Sequence, residues 1–308
     1  MFVDKLTYRV AIANLVAQIV IIVTGGLVRL TGSGLGCSDW PYCEPGQFTP
    51  KFHEATSYHP FIEFGNRTLT GVLIIIAVAL VVAVYRRDPV KNRPAMKKLS
   101  WWPLIGIILQ AVIGGMSVIF DLHPAFVGSH MLISLALVAI SAYILWRLPR
   151  PDSSPLPVIP SAKALAVVLA VDATLLVTMG TVVTGAGPHS GDSDAPYRWA
   201  MDTVAVTRIH SLLAWSILAI TLFGIFATAR ERNYEPTPAR DKAVTMWQLL
   251  FGALLLEGAI GYSQHFLGLP IVLVALHLLG ASLITTAATF ACCSLFSRTG
   301  ATDRGTGN

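Results

Sequence analysis

Two stretches decide the fold: LQAVIGGMSVIFDLHPAFVGSHM from Leu109 and LEGAIGYSQHFLGLPIVLVALHL from Leu256. Laid over each other without a gap, they coincide at Leu109/Leu256, Ile113/Ile260, Gly114/Gly261, Leu122/Leu269, Val127/Val274 and His130/His277. Each of these histidines follows Gln110 or Glu257 by 20 residues. Agreement at one fixed offset marks an internal repeat, in which each copy is one supersecondary unit. Both copies are largely apolar, and an imidazole inside a bilayer is costly unless it is paired or bound, so each histidine is a candidate functional residue. Two in register predict a symmetric constellation that holds a ligand between helices.

Composition carries the same reading to the whole chain. Of 308 residues, 54% are hydrophobic and only 13% charged, with a mean hydropathy of +0.64, which excludes an ordinary soluble domain. Apolar stretches near 10–29, 61–85, 99–120, 125–147, 163–186, 204–229, 243–264 and 268–296 each reach the ~20 residues a bilayer span needs. The first reads as a true span, since no A-x-A-like cleavage site follows it. The expected fold is an all-α integral membrane protein of eight transmembrane helices, arranged as two pseudo-symmetric four-helix bundles. Residues 1–148 form the N-terminal half, 149–162 a Pro/Ser-rich cytoplasmic linker, 163–297 the C-terminal half, and 298–308 a small polar tail expected to be disordered. Each half has an even number of spans and a span ending in T-G-x-G (Thr31–Gly34, Thr184–Gly187). The repeats therefore run parallel, about an axis along the membrane normal.

Basic residues set the orientation. Arg86, Arg87, Lys91, Arg93, Lys97 and Lys98 lie between spans two and three. Arg147, Arg150 and Lys163 flank the central linker, and Arg230, Arg232, Arg240 and Lys242 the loop after span six. The opposite loops offer only Lys51 and Arg198. The positive-inside rule then places both termini in the cytoplasm of a cell-membrane protein. It also accounts for the net charge of +5 without a nucleic-acid partner. Cys37 and Cys43 fall in the first outer loop, where an oxidising compartment and close spacing favour a disulfide over two free thiols. Cys292 and Cys293, adjacent in span eight, read as apolar filler.

The eight histidines are not equivalent. His53, His59 and His189 lie in outer loops, and His123 and His265 at short outer turns. His130, His210 and His277 are inside helices, in the outer half of the membrane and at similar depth. Spans six and eight share one half, so His210 and His277 can face across a bundle core. The ligand that fits between two imidazoles is a haem, with an axial nitrogen on each side of the iron. Zinc would want a cluster of three or four ligands, and the sequence places none there. The alternative, that each histidine only hydrogen-bonds a neighbouring helix, is weakened by three lying at one depth. The same geometry sets His130 opposite the segment IEFGNRTLTG, 62–71, where Asn66 takes the place of histidine. Asparagine is a poor haem-iron ligand, so this pocket is expected to hold iron by one strong bond at most. Glu63 and Arg67 admit two readings: an i,i+4 ion pair, or a carboxylate beside a porphyrin with an arginine for its propionates. Arg29 and Arg208 are further propionate candidates. Gln110 and Glu257 read as lying deep toward the cytoplasm, bonding helix to helix.

With GGLVRLTGSGLGCSDWPYC (from Gly25), the E-F-G-N-R segment (from Glu63) and histidines on spans four, six and eight, the chain resembles the haem A synthases of bacterial cytochrome oxidase assembly. The resemblance runs from Gly25 to about Leu283. It implies an oxidoreductase that takes the C8 methyl of haem O through an alcohol and its hydrate to a formyl group. It implies a haem b cofactor on His210 and His277, and substrate haem O near His130 and a catalytic Glu63. It places a Cys37–Cys43 disulfide close to the substrate pocket. Implied partners are a haem O synthase (a farnesyltransferase) as supplier and a membrane electron donor. The chain departs from the family at Asn66, where many members carry histidine, and in the loop GPHSGDSDAPYRWAMD, which lacks the cysteine pair of some members. Two other classes fit part of the pattern: a dihaem b-type electron-transfer protein, against which Asn66 counts, and a haem transporter or chaperone.

Overall fold

The computed structural model describes residues 2–51, 57–192 and 195–298. Its helices are α1 (Lys5–Leu30), α2 (His59–Arg86), α3 (Pro94–Ile119), α4 (Pro124–Arg147), α5 (Ala162–Ala186), α6 (Thr203–Tyr234), α7 (Pro238–Phe266) and α8 (Ile271–Ser294). All eight are long and apolar enough to cross a membrane. Their ends follow local chemistry. Asp4, Asp202 and Thr237 accept backbone N–H groups of the first turns of α1, α6 and α7, satisfying donors that no helix can satisfy itself. Proline stands in the first turn of α2, α3, α4 and α7, where its missing N–H costs nothing.

Each half closes a ring, α1–α2–α3–α4 and α5–α6–α7–α8, with α1 against α4 and α5 against α8. The halves meet through α1, α4, α5 and α8, with Leu15, Ile22, Leu135 and Val138 in the seam and Val177 and Phe290 packed on them. Lipid is as apolar as leucine, so close approach of small residues holds such helices together. A Cβ at Gly106 would fall 2.2 Å from Leu137, and one at Gly224 would fall 2.0 Å from the Trp247 ring.

The repeat extends to the backbone of the turns joining α3 to α4 and α7 to α8. Asp121 and Leu122 (φ 46° and 56°) are matched by Gly268 and Leu269 (φ 74° and 61°). The N–H groups of Leu122 and Leu269 each donate at 2.7 Å to a carbonyl five residues back, Ser117 and Gln264. Both hairpins therefore reverse in the same way, and His130 and His277, each eight residues beyond that leucine, lie at one depth.

The segment between the halves is held at both ends. The Arg93 guanidinium donates to Leu148 O at 2.7 Å and to Arg150 O and Asp152 Oδ1 at 2.8 Å. Arg147 donates to Pro151 O and Asp152. Further on, β1 (Leu156–Pro157) pairs antiparallel with β2 (Phe296–Ser297), and Val158 and Ile159 are buried in the core of the C-terminal half. Arg298, the first residue of the expected tail, donates to Ser153 O. His53 and residues 299–308 lie outside the described residues.

Candidate functional site

In the C-terminal half the rings of His210 (α6) and His277 (α8) stand 6.4 Å apart, centroid to centroid, at 78°. His210 Nδ1 lies 3.1 Å from Leu176 O, and His277 Nδ1 lies 2.7 Å from Glu257 Oε1. With each Nδ1 turned to its own wall, Nε2 is the nitrogen left for a ligand. Glycines make the room. A Cβ at Gly180 would sit 3.2 Å from His210 Cε1, and one at Gly261 would sit 3.3 Å from His277 Cε1. A metal–imidazole bond is about 2 Å, and two such bonds plus the two ring radii span close to the observed separation. The pair can hold a metal between them, and a bundle interior suits a planar macrocycle around it.

The N-terminal half keeps the wall but changes the ligands. A Cβ at Gly114 would likewise sit 3.3 Å from Cε1 of His130 (α4), whose Nδ1 is buried and unpartnered. On α2, Asn66 Oδ1 accepts from the Thr24 hydroxyl at 2.8 Å. One turn earlier Glu63, 5% exposed, accepts the Cys37 N–H at 2.8 Å and Arg67 N–H groups at 2.5 and 3.1 Å. Arg67 also donates to Asp39 O and Tyr42 O. Cys37 and Cys43 form a disulfide, with both residues buried. The loop between α1 and α2 is thus stapled within itself and tied to α2 through Glu63 and Arg67. The i,i+4 ion pair anticipated from sequence is present, as part of this larger tie.

One cavity of about 2700 Å³ joins the two halves, lined by Glu63, Asn66 and His130 on one side and by Arg208, His210 and His277 on the other. Ordinary small-molecule pockets measure ~300–1,000 Å³, so this space suits more than one large ligand. Its lining is mostly apolar, as a porphyrin face requires. Arg208 is exposed on this wall. Arg29 donates to His189 O at 2.7 Å and Thr184 O at 2.9 Å, binding α1 to the end of α5 and the loop that follows it. Gly34 N–H adds a bond to Gly191 O at 2.8 Å.

Sequence reading missed the contact that Glu257 makes. Glu257 was expected deep toward the cytoplasm, bonding helix to helix, yet it meets the His277 ring. The signal was available: two residues 20 apart that straddle a tight antiparallel turn at about residue 267 lie level with each other. Gln110 and His130 straddle their turn in the same way, and there the Gln110 amide donates to His130 O at 2.9 Å.

The family model described as cytochrome oxidase assembly protein matches residues 8–289. A protein named heme A synthase from Symbiobacterium thermophilum is 28% identical over 276 residues, 83% of this chain and 85% of that one. Another of that name, from Bacillus pumilus, is 33% identical over 141 residues, and that match spans 44% of either chain. A Thermus thermophilus protein named protoheme IX farnesyltransferase is 26% identical over 280 residues, 85% of this chain but 44% of its own length.

Proposed function

The chain belongs to the cytochrome oxidase assembly protein family, and on that premise we propose that its halves divide one reaction between a retained and a released haem. The activity is that of a haem A synthase: the C8 methyl of haem O is oxidised to a formyl group, giving haem A for cytochrome oxidase. The observation that carries the division of labour is the facing pair His210/His277, set in the same cavity as His130, Asn66 and Glu63.

His210 and His277 would hold haem b, which when bound supplies one-electron transfer. His130 holds the iron of substrate haem O from one side. Asn66, already engaged by Thr24, leaves the other side weakly held, which favours release of product. Glu63 is the catalytic carboxylate, placed to take a proton or stabilise positive charge developing at the substrate. Its bonds to Arg67 and the Cys37 N–H fix where that charge lies. Arg208 is the propionate partner with the fewest competing bonds. Arg29 and Arg67 line the same cavity and would take a propionate in exchange for protein oxygens.

The protein sits in the cell membrane with cytoplasmic termini, as the basic-loop asymmetry directs. Haem O arrives from a farnesyltransferase-type haem O synthase. The Thermus relative of that name, more than half of whose length lies outside the match, supports this supplier. A membrane electron donor is the redox partner. Incubating purified protein with haem O and separating the pigments by mass tests the reading. A formyl product is expected; unchanged haem O would select a dihaem electron carrier or a haem chaperone.

A further inference from the structure

Three of the matched positions at which the two halves differ lie around the paired histidines. Gln110, Ile133 and Ser134 of the first correspond to Glu257, Gly280 and Ala281 of the second. In the N-terminal half the Gln110 amide is spent on the helix, donating to His130 O at 2.9 Å and bonding the Ser134 hydroxyl. It leaves His130 Nδ1 without a partner. In the C-terminal half that hydroxyl is missing, and so is the side chain that would fill the gap. A Cβ at Gly280 would fall 1.6 Å from Glu257 Oε2 and 2.3 Å from its Cδ. Any residue but glycine would expel the carboxylate.

Through this slot Glu257 Oε1 comes within 2.7 Å of His277 Nδ1. The approach is at ion-pair distance but out of line for a ring N–H, and no other group bonds either carboxylate oxygen. A carboxylate inside a membrane needs a partner, and a small ring rotation makes the imidazole that partner. We propose that Glu257 is a positioning residue: it orients His277, fixes its proton on Nδ1 and strengthens Nε2 as a donor. This rests on the reading of His210 and His277 as haem b ligands. A carboxylate behind a metal-bound imidazole raises ligand basicity, which favours the ferric state and lowers the potential. The N-terminal half, without slot or carboxylate, gives His130 no such support, in keeping with a haem that must leave.

The test uses purified holoprotein, by spectroelectrochemical titration of its haem b and by transfer of that haem to apomyoglobin. Glu257→Gln and Gly280→Ala should each raise the midpoint potential and speed haem loss by about 10–100-fold, whereas Gln110→Ala should do neither to this haem. Gly280→Ala keeps the charge and closes only the slot, so it decides the matter alone if Glu257→Gln fails to accumulate. Wild-type potential and loss rate in the variants that accumulate would overturn the role of Glu257 while leaving His277 as ligand. A full haem b complement in His277→Ala would instead remove the underlying reading.

Discussion

At the scale of single residues, Glu63 is buried and accepts three hydrogen bonds, from Cys37 N–H and the Arg67 guanidinium. It joins a disulfide-stapled loop to α2 and faces the cavity shared by both halves. Glu63→Gln should cut haem A formation by ~10²–10⁴-fold, the span of general acid–base contributions, with the haem b spectrum intact. Asn66→His should convert bound haem O to a six-coordinate low-spin spectrum and slow product release, measured by optical spectroscopy and single-turnover extraction. The residues of this site were legible because they are polar in apolar helices, and the repeat supplied their register. Glu257 was assigned the wrong depth because each residue was placed from its own helix end, not from the turn it shares with its histidine. That Arg67 bonds loop carbonyls was closed to sequence, because a loop with a disulfide and a cis proline at Trp40–Pro41 has no periodicity to read.

At the scale of elements, all eight helices were legible from apolar length, but the polar first turns capped by Asp4 and Thr237 lie outside the apolar stretches. The T-G-x-G motifs proved less uniform than their letters. After Thr31 the chain leaves α1 through Gly32 at φ 67°, whereas α5 runs on through Thr184 to Ala186. Helix pairing depends on contacts that a pattern of spans does not encode, above all glycines under large side chains. Gly224→Ala should destabilise the protein by about 1–3 kcal/mol, an overpacking cost, because Trp247 is fully buried with nowhere to go. Gly252→Ala meets nothing within 4 Å and should leave thermal unfolding in detergent unchanged or slightly raised. Reversed order of the two variants in melting temperature would refute this account of α6–α7 packing.

At the scale of the whole molecule, Arg29 and Gly34 join the halves at one end of the helices, and at the other end the Arg93–Arg147–Asp152 cluster fastens the linker to the N-terminal half. The Arg93 hydrogen bond holds the Asp152 carboxyl below its ordinary range, against the opposing effect of partial burial. A depressed folded value means that its contribution is complete above the usual carboxylate pKa of ~3.9 and fades as pH falls through the folded one. Asp152→Asn should therefore lower stability at neutral pH by on the order of 1 kcal/mol, discounted for exposure. The gap in melting temperature from wild type should close in acid. The linker was read as a spacer because proline and serine dominate it; burial of Val158 and Ile159 came from tertiary partners far away in sequence. The matched turns have a further consequence. Because they set His130 and His277 level, an electron passing between haems held as proposed would travel parallel to the bilayer plane. A charge crossing the membrane exchanges ~2.3 kcal/mol per 100 mV with the transmembrane voltage, but this one crosses none of it. Energising the membrane should therefore leave the internal transfer step as fast as before.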